Sequence, residues 1–179
     1  MIISSLILTL VQDPEGDDPD KTGFNLNEQD LVDYVTKLAD YAHSQLRTQR
    51  GLPLMFGQKN ARALSQRLQP ITDFAVLEEC LGTRIPSEEH PIFCDNFQNF
   101  VKNATNPKPV FEIEYPLSVK DHDTKNMNRD DWIFFCQTPN GNNQFSEVIK
   151  HSSDFVDGWG QYCSTSETEG TFNTTTLDE

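Results

Sequence analysis

Residues 110–115 read Val-Phe-Glu-Ile-Glu-Tyr, and the alternation in that stretch decides the fold. Successive side chains of a strand point to opposite faces, so Val110, Glu112 and Glu114 share one face and Phe111, Ile113 and Tyr115 the other. The second, apolar trio is suited to packing under helices, which turns both glutamates to the inner side. A buried carboxylate without a partner is costly, so Glu112 should be paired or protonated, with Lys59 the nearest cation by strand order. Upstream, residues 73–80 read Asp-Phe-Ala-Val-Leu-Glu-Glu-Cys. The same alternation puts Phe74, Val76 and Glu78 on one face and Ala75, Leu77 and Glu79 on the other, so only one of the adjacent glutamates faces inward.

Outward from these runs, residues 27–46 give the clearest helix, with Leu31, Val32, Val35, Leu38, Ala39, Ala42 and Leu46 at helical spacing. Asn25 with Glu28, or Asn27 with Asp30, offers its N-cap. Residues 60–68 read as a short helix ended by Pro70, and residues 91–103 as a helix with Phe93, Phe97 and Phe100 on one side. Residues 145–159 read as one or two helices. Strand-length apolar runs occur at 2–11, 52–58, 73–78, 110–115 and 132–135. Short strands alternating with helices predict an α/β fold built of βα units around a parallel sheet buried on both faces. From residue 164 onward the chain is rich in Ser, Thr and Glu, and disorder is expected there.

Composition narrows the function. Among 179 residues, 14 are basic and 28 acidic, a formal charge of -14. Nucleic acid and anionic membrane surfaces are excluded as partners, because both need clustered Lys and Arg. A cationic partner or substrate would be attracted. The longest apolar run, residues 1–11, is broken by Ser4 and Ser5 and falls short of the ~18 residues that span a bilayer. Four cysteines, Cys80, Cys94, Cys136 and Cys163, form no C-x-x-C pair, and the four histidines lie far apart, so neither a metal nor another cofactor is expected. An even cysteine count reads as two disulfides, for which three pairings are open. With sequons at Asn103-Ala104-Thr105 and Asn173-Thr174-Thr175, this favours an oxidising, secretory compartment. The first residues carry neither a basic segment nor a small-x-small cleavage site, and read better as a strand than as a signal peptide.

Charged residues stand at or just beyond several strand ends: Asp13 and Glu15, Lys59, Glu78 and Glu79, and Glu114. In a parallel α/β barrel those ends meet on one face, where such enzymes do their chemistry. The plainer reading is that strand ends are wet and collect charge. A mouth lined by carboxylates, without metal ligands or a Ser or Cys nucleophile, suits glycoside hydrolysis, which needs one carboxyl as acid and another as nucleophile or base. Carboxylates placed close together also separate those roles by pushing their pKa values apart.

The motifs follow in a fixed order: T22-G23-F24, A42-H43, G57-Q58-K59-N60, D73-F74-A75-V76-L77-E78-E79-C80, K108-P109-V110-F111-E112-I113-E114-Y115, C136, F145-S146-E147-V148-I149-K150 and W159-G160-Q161-Y162-C163. From about residue 11 to 163 this series resembles glycoside hydrolase family 114, the endo-α-1,4-polygalactosaminidase-like (β/α)8 barrels. The resemblance implies a TIM-type barrel over residues 1–163, here of about five strands with roughly three N-terminal βα units lacking, and a disordered tail over 164–179. Such a barrel would leave strand edges unpaired, so the chain alone is expected to be poorly stable.

The same resemblance implies a secreted enzyme that cuts α-1,4-linked galactosamine chains with two carboxylates. Glu78 matches the glutamate of the family's N-E-Q-C-like motif, although Leu77 and Glu79 replace its neighbours. The upstream carboxylate of a P-D-N-like motif falls on Asp13 by spacing to Thr22, or on Glu15 by the pattern D-P-E. Lys59, Asn60, Glu114 and Tyr115 match elements that line the substrate cleft, and Glu112 shares a face with Glu114. The cysteine positions match as Cys80–Cys94 and Cys136–Cys163. A polycationic polysaccharide as partner gives the -14 charge a purpose. The alternative is an inactive barrel remnant that at most binds cationic glycans.

Overall fold

The computed structural model of the chain describes residues 27–82, 94–121, 123–137, 144–151, 158–163 and 167–173. In chain order these form helix α1 (Glu28–Ser44), strand β1 (Gly57–Lys59), helix α2 (Ser65–Leu68) entered by a tight turn at Arg62–Leu64, and strand β2 (Phe74–Glu78). Then come a turn at Cys94–Phe97 with helix α3 (Gln98–Val101), strand β3 (Val110–Glu114), helix α4 (Arg129–Trp132) widening into Ile133–Gln137, and strands β4 (Ser146–Ile149), β5 (Trp159–Gln161) and β6 (Thr171–Asn173). The sheet has the strand order β1-β2-β3-β4-β5-β6. The chain divides into two compact units, residues 1–76 with 96–110 and residues 77–95 with 111–179.

The first unit is built on α1. Asn27 starts that helix, its side chain accepting the backbone N–H groups of Gln29 and Asp30 while the Asp30 carboxylate accepts the N–H of Asn27, so two orphan donors are satisfied reciprocally. Of the two caps that the sequence offers, Asn27 with Asp30 is the one used. The apolar stripe falls as its spacing predicts: Val32, Val35, Ala39 and Ala42 are buried and cluster with Phe56, Leu64 and Leu68. Strand β1 pairs in parallel with β2, Gly57 opposite Phe74 and Lys59 opposite Val76. The buried Lys108, just before β3, donates to the carbonyls of Gln69 and Thr72 and so satisfies the chain leaving α2.

In the second unit β3 and β4 are parallel, with Glu112 opposite Glu147 and Glu114 opposite Ile149. The sheet then reverses, β4 with β5 and β5 with β6 being antiparallel, so it is mixed rather than wholly parallel. Disulfides join Cys80 to Cys94 and Cys136 to Cys163, the pairing that the resemblance implies. Trp159 is buried and stacks on His151, their ring centroids 4.0 Å apart.

Four further expectations need correction. Residues 132–135 are not a strand: Asn128 accepts the N–H of Asp131, capping a helix that runs through Trp132. A short apolar run does not by itself distinguish strand from buried helix, and the cap decides. Where helix was expected over residues 145–159, Ser146–Ile149 form β4 and Trp159 starts β5, the β-branched Val148 and Ile149 prevailing over the weak helical spacing, while residues 152–157 lie outside the described residues. Within the segment expected to be disordered, Thr171–Asn173 pairs with β5. The apolar face of β3 is not wholly covered, since Phe111 is 43% exposed. The predicted strand at 2–11 lies outside the described residues.

Strand β1 passes close over Phe74: a Cβ on Gly57 would lie 2.3 Å from that ring. Gly57→Ala should therefore cost about 1–3 kcal/mol through forced repacking. Denaturant unfolding, with the midpoint lowered and the slope unchanged, checks it.

Candidate active site

Glu78 is the last residue of β2 and is partly exposed, so its carboxyl group is both anchored and reachable. The Tyr115 hydroxyl, one residue beyond β3, donates to Glu78 Oε1 at 3.3 Å. Burial first and the Glu78 charge second push the Tyr115 hydroxyl well above its ordinary range, so it keeps its proton and remains a donor. After Glu78 the chain turns sharply. Glu79 takes a left-handed φ of 55°, its N–H reaches the carbonyl of Ile113 at 2.9 Å, and the next residue enters the Cys80–Cys94 disulfide. The N–H of Leu81 then donates to Glu114 Oε1 at 2.9 Å. Three ties thus hold the three residues that follow the strand.

Beneath them lies a group of carboxyls. Glu112 and Glu114 are 0% and 1% exposed, as the alternation of residues 110–115 requires. Glu112 Oε1 touches the disulfide, 2.9 Å from Cys80 Sγ and 3.4 Å from Cys94 Sγ. Burial, reinforced by the charge of Glu112, raises the Glu114 carboxyl well above the usual range and that of Glu147 to about 9. Glu147 therefore carries its proton at neutral pH. That protonation lets Glu147 stand opposite Glu112 in the parallel register without like-charge repulsion.

Two clusters have metal-ligand composition: Cys80, Cys94, Glu112 and Glu114, and Cys136, Glu147 and Cys163, each with donor atoms within 4.8 Å of one another. In both the sulfurs are bonded in disulfides, which removes the thiolates that a transition metal would use.

The structure thus brings together Glu78 and Tyr115, and buries Glu112 and Glu114 against protein groups rather than in an open cleft. Lys59 and Asn60, at the end of β1, belong to the first unit, where Asn60 has a left-handed φ of 48° and its N–H donates to the Val76 carbonyl at 3.0 Å. Asp13 and Glu15 lie outside the described residues. Sequence reasoning missed Glu147. Reading residues 146–149 as a strand parallel to β3 would have placed it beside Glu112.

A glutamate at the end of a parallel strand, braced by a tyrosine and seated on buried carboxyls, is a geometry seen against one further finding. The model of glycoside-hydrolase family GH114 matches residues 13–168. The chain belongs to glycoside-hydrolase family GH114. No curated protein and no solved structure matches it. The GH114 assignment makes the chemistry hydrolysis of a glycosidic bond and the substrate a carbohydrate, and GH114 is a family of TIM barrels. The strands described in this GH114 chain form a six-stranded mixed sheet.

The buried carboxyls give this GH114 protein a defined pH response. A carboxyl group whose pKa rises on folding stabilises the fold fully below its unfolded value, here about 4.5, and that contribution is lost as pH climbs through the folded value of about 9 for Glu147. The thermal midpoint should fall by several degrees between pH 5 and about 9, and Glu147→Gln should flatten that slope. Scanning calorimetry across the range checks it.

Proposed function

We propose that this GH114 protein is an endo-acting glycosidase that cleaves α-1,4-linked galactosamine polymers, with Glu78 as one catalytic carboxyl and Asp13 or Glu15 as the other. The observation that carries the reading is the placement of Glu78: last residue of a parallel strand, partly exposed, and held by the Tyr115 hydroxyl at 3.3 Å. Barrel enzymes carry their catalytic groups at that end of their strands. Glycoside hydrolysis needs a pair of carboxyls, one to protonate the leaving oxygen and one to act as nucleophile or base. The formal charge of -14 favours a polycationic substrate, and free galactosamine units are cationic.

Residues 1–163 are then a partial TIM barrel with a Ser/Thr/Glu-rich segment after it. Lys59 and Asn60 contribute to the cleft from the end of β1. Glu112 and Glu114 act from below, through the disulfide and the Leu81 amide, as supports of the turn after Glu78 rather than as direct sugar ligands. Two disulfides favour an oxidising compartment, so the protein works outside the cytosol.

The test is release of reducing ends from a deacetylated α-1,4-galactosamine polymer. Glu78→Gln should lower turnover by about 10²–10⁴. Tyr115→Phe should cost less, about threefold to tenfold, the share of one hydrogen bond. Undiminished cleavage by Glu78→Gln overturns the assignment. Salt-sensitive binding without any turnover would favour the inactive glycan binder instead.

A further inference from the structure

We propose that a cavity of about 450 Å³ in the first unit is a second, non-catalytic carbohydrate site, one that takes an amino sugar with a free ammonium group. The cavity is formed by the end of α1 and by the three loops that lead into β1, β2 and β3. Asp73 immediately precedes β2, whereas Glu78 is its last residue, so the cavity is not part of the candidate active site. The choice of amino sugar rests on the galactosamine reading above; the existence of a binding site does not.

Three features select the ligand. The first is a fixed carboxylate: Asp73 Oδ2 accepts the Phe56 N–H at 2.7 Å and lies 2.8 Å from His43 Nε2, so it needs no reorganisation to receive a guest. The second is a carboxylate in waiting. Asp40, exposed one turn before His43, makes no side-chain hydrogen bond or ion pair with the described residues. The one lysine of the lining, Lys108, directs its ammonium into the carbonyls of Gln69 and Thr72 and its charge acts on Asp73, which His43 also faces, so Asp40 is the lining carboxylate left for a cationic guest. The third is an apolar wall of Met55, which is 45% exposed, with Pro70, Ile71 and Pro107.

A bare cation would use the carboxylates and leave the wall idle. A neutral sugar would use the wall and leave Asp40 unmatched. An amino sugar uses both: its C–H face lies on the wall, its ammonium group meets Asp40, and its hydroxyls reach Asp73, His43 and the Asn106 amide. The volume falls within the range of small-molecule sites and accommodates a sugar unit. Such a site would hold one stretch of a polymer while another is processed.

The full chain carrying Glu78→Gln is titrated with galactosamine, and separately with N-acetylgalactosamine, with backbone amide shifts as the readout. Galactosamine should move the signals of residues 40–43, 71–73 and 106–108, and the N-acetylated sugar should not. Asp40→Asn should weaken galactosamine binding by about tenfold, the scale of a hydrogen bond to a charged group. Met55→Ala should weaken galactosamine but leave methylammonium binding unchanged. Absent shifts, an unchanged affinity in Asp40→Asn, an equal response to N-acetylgalactosamine, or a Met55→Ala variant that binds galactosamine normally would each overturn the proposal. Polymer cleavage by the unaltered chain is scored separately. Cavity shifts without cleavage leave this site standing while the catalytic reading falls, and cleavage without cavity shifts does the reverse.

Discussion

A carboxyl group carried into a protein interior loses its hydration and must recover it from neighbours or keep its proton. Strand β3 carries in two, Glu112 and Glu114, and the parallel register brings Glu147 up beside the first. Three acids so placed cannot all be anions. Protonation of Glu147 relieves the conflict, and burial with the Glu112 charge raises Glu114 in the same direction. Glu112 lies against the Cys80–Cys94 bridge, and Glu114 receives the Leu81 amide. The turn that follows Glu78 therefore rests on groups that hold it from below, and the position of Glu78 depends on them.

Backbone geometry marks the ends of β1 and β2. Asn60 and Ala61 after β1, and Glu79 after β2, adopt left-handed φ of 48°, 56° and 55°, although none is glycine. Each such residue costs about 1 kcal/mol or more. Strain of this kind persists where the surroundings over-determine it, and it collects at functional sites. Here it falls after β1 in the first unit and directly after Glu78 in the second.

What the sequence made legible follows from which signals are local. The stripe of α1, strands β2 and β3 and the burial of Glu112 and Glu114 all rest on period and alternation, and all were readable, whereas the cap of α1 was left between Asn25 with Glu28 and Asn27 with Asp30. Residues 132–135 and 146–149 are short, and their state was set by a cap at Asn128 and by pairing with β3, neither of which periodicity reports. The antiparallel return through β5 and β6 was equally hidden, because pairing partners far apart in sequence leave no local trace. At the site, Glu78 and Tyr115 were readable as candidates, but their contact was not. Glu147 was hidden by the helical reading of its own segment, and the cavity beside His43 because loops from three strands make it.

The two disulfides enclose separate stretches of chain, with partners 14 and 27 residues apart and no interleaving. During synthesis a chain emerges from its N-terminus, so Cys80 and Cys94 are both presented before Cys136 exists. The first bridge can close while only one choice is available. The second then closes between the two thiols that remain. Of the three pairings that four cysteines allow, the native one is the pairing that the order of emergence favours, since neither bridge has to wait for, or enclose, a cysteine of the other.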